Sequence, residues 1–122
     1  MVLRDDHDLA QWGVVETNAA GYVMTINGKG RSTSGRSNPF ARRMFAGIHV
    51  IDPVLLRHIP QGTSSSIIDA YIHWLKRGAV VSSYPLLGYW SDIGTPTRYA
   101  KVQRDFESVS YTHLTLPTIC SV

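Results

Sequence analysis

The chain has 122 residues, with 12 Lys and Arg against 9 Asp and Glu, and a formal net charge of +3. This length allows one small domain or part of a larger one, and an apolar share of 43% is enough for a folded core. No stretch has the length of a membrane span, and early acidic residues argue against a signal peptide. We therefore expect no membrane partner, and because the single cysteine, Cys120, cannot form an internal disulfide, we expect a cytoplasmic protein.

Two short strands are predicted first, at 13–17 and 22–26, and the turn residues at 18–21 between them predict a β-hairpin. A basic segment follows at 27–43, and it is also rich in Gly and Ser. Its cations are Lys29, Arg31, Arg36, Arg42 and Arg43. Such a segment favours anionic ligands such as phosphate, a nucleotide or nucleic acid, and a solvated flexible loop is an equally good interpretation.

The middle of the chain predicts a buried strand and two helices. Residues 44–51 are apolar enough for the strand, and Gly47 inside it is typical of close approach by a ligand or another backbone. Asp52 and Pro53 predict the start of a short helix. Ser64, Ser65 and Ser66 are alternative N-caps of a longer helix, which is expected to end at Gly78. Its apolar positions follow the 3.6-residue period: Ile67, Ile68, Tyr71, Ile72 and Leu75.

A further strand is predicted at 80–86, leading to a turn around Asp92 and then to a final helix. Thr95 is the expected N-cap of that helix, Pro96 its first residue, and Tyr99, Val102 and Phe106 share one face. Alternating strands and helices indicate an α/β fold with a partly parallel sheet. The hairpin is then either an insertion or an antiparallel edge of this sheet.

Asp92 is the main candidate for chemistry. If it follows a strand at the carboxyl edge of the sheet, it is well placed to bind a metal ion beside a phosphate. On spacing alone, a solvated turn aspartate remains the simpler interpretation. The five histidines share no zinc-ligand spacing, so no zinc site is expected.

The composition changes after Glu107, because residues 108–122 contain no Asp, Glu, Lys or Arg. This segment resembles translated adapter sequence, so we predict that 108–122 is a non-native tail and exclude it from the fold. A genuine terminal strand is the alternative, although Pro117 weakens it.

Residues 1–107 resemble the second, C-terminal half of the sugar-1-phosphate nucleotidyltransferase catalytic domain, as in bacterial NDP-sugar synthases and mannose-1-phosphate guanylyltransferases. The resemblance lies in four stretches: 12–16 with 21–23 and Ile26, 44–53, 66–71, and 89–96 with Tyr99. It implies a partial Rossmann-like nucleotidyltransferase sheet with helices and a β-hairpin insertion. It also implies transfer of a nucleotidyl group from a nucleoside triphosphate to a sugar-1-phosphate, with Mg²⁺ and release of pyrophosphate.

The same resemblance implies roles for individual residues. Asp92 matches one of the two carboxylates that hold Mg²⁺, and Glu16 matches the acid that binds sugar hydroxyls. Gly47 matches the glycine whose backbone meets the sugar. Lys29 matches a lysine on the sugar phosphate, although Gly28 and Gly30 replace the flanking Glu and Pro of the family. Trp90 is either a core aromatic or a wall of the sugar pocket.

The family's glycine-rich nucleotide loop and first metal carboxylate have no match in this sequence. We therefore expect a truncated gene or partial read that is inactive alone, marginally stable and prone to self-association through open strand edges. The alternative function is an anion- or RNA-binding module that uses the basic segment 29–43. Because only Phe40 could stack on a base there, nucleic acid is the less favoured partner.

Overall fold

The computed structural model describes residues 1–31 and 41–110. It divides into two compact units, Met1–Leu87 and a second that begins at Gly88. The second unit contains the last helix and the turn before it. The elements in chain order are β1 (Val2–Arg4), α1 (Leu9–Trp12), β2 (Val15–Thr17), β3 (Val23–Ile26), β4 (Lys29–Gly30), β5 (Ala41–Phe45), a 3₁₀ helix (Pro53–His58), α2 (Ile67–Lys76), β6 (Tyr84–Pro85) and α3 (Pro96–Ser110).

A six-stranded mixed sheet in the order β4-β3-β2-β5-β1-β6 organises the first unit. The β1–β6 pair is parallel and the other pairs are antiparallel. The expected α/β class and partly parallel sheet are confirmed, whereas nothing in this topology identifies the more specific Rossmann-like nucleotidyltransferase fold. Within residues 1–31 and 41–110, no helix combines the length and apolar character needed to cross a membrane.

The predicted β2–β3 hairpin is confirmed, and it lies within the main sheet, between β4 and β5, instead of at an edge. Val15 pairs with Ile26 and Glu16 with Thr25, and the register then shifts before Thr17. Asn18 stabilises the turn, because its side-chain oxygen accepts from the N–H groups of Ala20 and Tyr22 at 3.0 Å each. The shift leaves Met24 without a partner on β2, so the extra residue lies on β3, and both Val23 and Ile26 are buried in the core.

A second hairpin, β3–β4, replaces part of the predicted basic loop. Asn27 and Gly28 form its two-residue turn, with φ of +52° and +76°. Positive φ at both central positions defines the turn type that Asn-Gly favours, because it matches the twist of paired strands. The expectation of a loop over all of 27–43 is therefore wrong at its ends. Residues 32–40, which include Arg36 and Phe40, lie outside the described part of the chain.

The strand predicted at 44–51 is also wrong in its bounds. The observed strand, β5, covers Ala41–Phe45, where it pairs first with β2 and then with β1. Gly47 then has a φ of +85°, which interrupts extended structure. Beyond it, Val50 is 96% exposed, so the apolar run at its end does not form a buried strand.

The core of the first unit lies on one face of the sheet, beneath α2 and the 3₁₀ helix. Alternation along β2 directs Val15 and Thr17 inward and Glu16 to the opposite face. α2 packs against β3, β4 and the 3₁₀ helix. The buried cluster consists of Leu3, Val15, Val23, Ile26, Leu55, Ala70, Tyr71 and Leu75. The 3.6-residue period therefore predicted the inner face of α2 correctly, since its remaining isoleucines also pack against this cluster.

Local capping signals fix the helix ends as the sequence predicted. The Asp52 side chain accepts from the Val54 N–H at 2.9 Å and begins the 3₁₀ helix, with Pro53 in its first turn. Gly78 follows α2 with a φ of +88°, and the Arg31 guanidinium donates to its carbonyl at 2.7 Å. In the second unit, the Thr95 hydroxyl accepts from the Arg98 N–H at 3.2 Å, so Thr95 caps α3.

Ser66 is the N-cap that the structure selects from the three candidates before α2, since its hydroxyl accepts from the Ile68 N–H at 3.2 Å. We expect Ser66→Ala to lower the free energy of unfolding by about 1 kcal/mol, because an N–H at the helix start loses its acceptor. Ser64→Ala is the matched control and is expected to change it by less than about 0.5 kcal/mol. Urea denaturation followed by circular dichroism measures both, and equal effects would contradict the assignment.

The strand predicted at 80–86 is shorter than expected. Only Tyr84–Pro85 forms a strand, β6, while Ser82 makes an isolated bridge with Tyr22. β6 and β4 are the two edges of the sheet and each is two residues long. Pro85 has no N–H to offer a further strand. Self-association through these edges stays a prediction, with few backbone groups available to support it.

Candidate functional site

Glu16 lies on the sheet face opposite the core, at the centre of β2. Its Oε1 accepts from the Thr25 hydroxyl at 2.8 Å, and its Oε2 lies 3.9 Å from Nε of Arg42. Both partners are cross-strand neighbours of Glu16 in the sheet register. The carboxylate is therefore held on a rigid surface, with a hydroxyl on one side and a cation on the other. This arrangement can bind ligand hydroxyls and an anionic group side by side.

The other described cations of the basic segment lie on separate elements. Arg43 on β5 donates from Nε to Asp5 at 3.0 Å, and Arg31 is bonded to the Gly78 carbonyl. Lys29 is exposed on the edge strand β4, opposite Ile26. The strand β5 thus holds two arginines in fixed positions instead of in a loop. The proposed contact of Lys29 with a sugar phosphate stays a prediction.

Gly47 lies just beyond β5, and no atom lies within 4 Å of the place where its side chain would begin. Its φ of +85° is a backbone conformation that favours glycine. The space beside Gly47 is open, and the contact of its backbone with a sugar stays a prediction. Trp90 is half-buried within the second unit, and its role as a pocket wall also stays a prediction.

Asp92 organises the turn before α3. Its Oδ1 accepts from the Gly94 N–H at 2.6 Å and lies 3.5 Å from Nη1 of Arg98. The placement of Asp92 directly after a strand is wrong, because β6 ends at Pro85 and residues 86–95 form bends and irregular chain. One carboxylate oxygen therefore acts as a cap for the turn and as the partner of a cation.

Asp92 fits a Mg²⁺ site only as one ligand of several. Among the described residues, no group of three or more His, Cys, Asp or Glu side chains is arranged to hold a metal ion. Mg²⁺ in phosphate-transfer sites commonly uses one or two carboxylates, with substrate oxygens and water completing its shell. Asp92 has the right donor chemistry for such a ligand, and Arg98 competes with a cation for it.

A second carboxylate, Asp105 on α3, was not singled out by the sequence. It accepts from the Tyr89 hydroxyl at 2.6 Å and from Lys101 Nζ at 2.8 Å. These two donors hold the pKa of Asp105 below its usual range, while the bond to Asp105 raises the pKa of Tyr89. The spacing of Lys101 and Asp105, four residues apart, could have indicated their ion pair. The cluster ties Tyr89 to α3 and is structural.

A cavity of about 520 Å³ lies in the first unit and was also not anticipated. Its walls include Val54, Leu55, Tyr71, Trp74, Val81 and Tyr84. Beside it, the Tyr71 hydroxyl and His49 Nδ1 share a hydrogen bond of 2.6 Å, and Phe45 meets both rings edge-on. Burial raises the pKa of Tyr71, and its phenol can donate to His49 when Nδ1 carries no proton.

Comparison of the chain with protein-family models, curated proteins and solved structures gives no significant match.

Proposed function

We propose that residues 1–107 are the sugar-phosphate-binding half of a sugar-1-phosphate nucleotidyltransferase. The proposal rests on the sequence resemblance and, within the structure, on the Glu16 carboxylate held between Thr25 and Arg42. A fixed carboxylate is a good acceptor for two sugar hydroxyls, and an adjacent guanidinium suits a phosphate. The chain alone is expected to bind the acceptor substrate without transferring a nucleotidyl group to it.

The chemistry expected in a complete enzyme depends on positioning and on neutralising charge. The sugar phosphate attacks the α-phosphorus of the triphosphate, and pyrophosphate leaves. Bound Mg²⁺ would neutralise the phosphate charge, with Asp92 as one ligand. The residues of this chain would orient the sugar through Glu16 and hold its phosphate through Arg42 or Lys29.

Titration of the full chain with mannose-1-phosphate, followed by ¹H–¹⁵N NMR, tests the proposal. We expect the amide signals of Glu16 and Thr25 to move. Glu16→Gln keeps an oxygen for the Thr25 hydroxyl but removes the charge, so binding should weaken by about tenfold to a hundredfold. Asp8→Asn is the matched control, because Asp8 is exposed and its side chain does not cap α1.

Two outcomes would contradict the proposal. One is the absence of any change at Glu16 and Thr25 at millimolar ligand concentrations. The other is equal binding by the Glu16→Gln and wild-type chains. Inorganic phosphate serves as a second probe, and shifts identical to those of the sugar phosphate would show that only the cations bind.

The RNA-binding alternative gains no specific support from the described arginines of the basic segment. Arg31 and Arg43 already have short intramolecular partners, and Arg42 lies beside Glu16. An acidic group inside a basic surface opposes binding to a polyanion. Single-stranded RNA is therefore expected to bind weakly.

A further inference from the structure

Two histidines outside the proposed sugar site stack on each other between two helices. The rings of His58, on the 3₁₀ helix, and His73, on α2, have centroids 3.5 Å apart and planes inclined by 12°. The His73 ring also meets the Trp74 ring edge-on at 5.3 Å. The stack therefore joins the exposed end of the 3₁₀ helix to the last turn of α2.

The same two helices form one wall of the 520 Å³ cavity, through Val54 and Leu55 on one helix and Trp74 on the other. Leu55 is buried, and its carbonyl accepts from Trp74 Nε1 at 3.3 Å. Docking of the 3₁₀ helix thus involves the buried Leu55 side chain, this hydrogen bond and the histidine stack, and Ile51 and Ile59 on either side of the helix also pack against the core. Loss of the stack is expected to shift the docking equilibrium measurably.

The surroundings of His73 disfavour its protonation. Burial against its neighbours lowers the pKa of His73, and the positive charges of His58 and Arg77 lower it further. Asp69, one turn earlier on α2, is exposed to solvent. The remaining charged side chains of α2 and of the elements packed against it are Lys76 on α2, Arg57 on the 3₁₀ helix and Lys29 on β4.

We propose that the His58–His73 stack is a pH-sensitive latch, which holds the 3₁₀ helix against α2 and releases it when both rings carry a proton. Two imidazolium rings in face-to-face contact repel each other, whereas neutral rings stack favourably. Release would move Val54 and Leu55 and open that wall of the cavity.

The direction of the pH effect follows from the lowered pKa of His73. A histidine whose pKa is lower in the docked state than its ordinary 6.5 binds protons more readily when released. Docking is therefore strongest above pH 6.5 and weakens as the pH falls through the lowered pKa. Each pKa unit by which docking lowers the value changes the docking equilibrium by about tenfold.

NMR of the full chain between about pH 7.5 and about pH 5, on either side of the ordinary histidine pKa, tests the latch. We expect the Trp74 indole N–H and the Leu55 methyl signals to move together as the pH falls. In His73→Phe or His58→Phe, an aromatic contact remains but cannot be protonated, so both signals should stay at their docked positions. His7→Gln is the control and should titrate like the wild type.

Two results would overturn the latch. If only the Trp74 indole signal moves, the titration is local to the neighbouring ring and the helix stays docked. If the Leu55 methyl signals follow the same curve in both phenylalanine variants, another group controls the pH dependence. Because His58 is exposed, His58→Phe is expected to fold even where His73→Phe does not.

Discussion

Leu75→Ala is expected to lower the free energy of unfolding of the first unit by about 2 to 5 kcal/mol. The Leu75 side chain is 0% exposed and belongs to the cluster between α2 and the sheet. Its removal loses the free energy of burying the side chain, and the cavity that remains adds a further cost because the surrounding strands relax only partly. Urea denaturation followed by circular dichroism measures the effect. A Leu75→Ala variant that shows no cooperative unfolding transition in urea would also agree with this prediction.

Leu87→Ala makes the same chemical change at a side chain that is 92% exposed. We expect it to change the free energy of unfolding by less than about 0.5 kcal/mol. A similar cost at both positions would mean that α2 does not cover the sheet through the face that carries Leu75. The comparison therefore tests the main packing layer of the first unit.

Local signals predicted the 3₁₀ helix, α2 and α3, whereas the four-residue α1, which has no side-chain cap, was not predicted. The 3.6-residue period placed Tyr71 and Leu75 inward, and the caps Asp52 and Thr95 form hydrogen bonds within their own turns. Such features depend on residues a few positions apart, so the sequence contains all the information needed. The same holds for Gly78, whose positive φ follows from its position after α2.

The bounds of the strands depend on pairing between residues far apart in sequence, and the predicted bounds were less accurate than those of the helices. The run at 44–51 is apolar, but β5 begins at Ala41 because Ala41–Arg43 pair with β2. Arg42 and Arg43 are accommodated in this strand by Glu16 and Asp5, which lie far from them in sequence. An apolar run alone cannot fix the bounds of a strand whose charges are balanced by other strands.

In the candidate site, too, local features could be predicted from the sequence and the partners on other strands could not. Alternation in β2 places Glu16 on the face away from the core, between the buried Val15 and Thr17. Its partners Thr25 and Arg42 depend on the register of two strand pairs, which the sequence does not reveal. The turn at Asn27 is different, because Asn-Gly between two extended runs is a direct hairpin signal, and residues within the turn were enough to indicate it.

Gly30→Ala is expected to lower the free energy of unfolding by about 1 to 3 kcal/mol, the cost of a strained backbone position. Gly30 has a φ of +150°, and an added Cβ would lie 2.5 Å from the Met24 carbonyl oxygen. The same oxygen accepts from the Arg31 N–H at 2.9 Å, so relieving the contact would disturb the β3–β4 pairing. The displacement would also affect the bond from Arg31 to Gly78, at the end of α2.

Gly28→Ala separates this contact from the effect of a positive φ. Gly28 has a φ of +76°, but no atom lies within 4 Å of its added Cβ. Its cost is expected to be about 1 kcal/mol, from the left-handed conformation alone. NMR should show that Gly28→Ala keeps the cross-strand pairing of Thr25 with residue 30 and that Gly30→Ala weakens it. Equal costs and intact pairing in both variants would mean that β4 does not pack closely against β3. The hydrogen bond from Arg31 to Gly78 would then not depend on that packing to hold the end of α2.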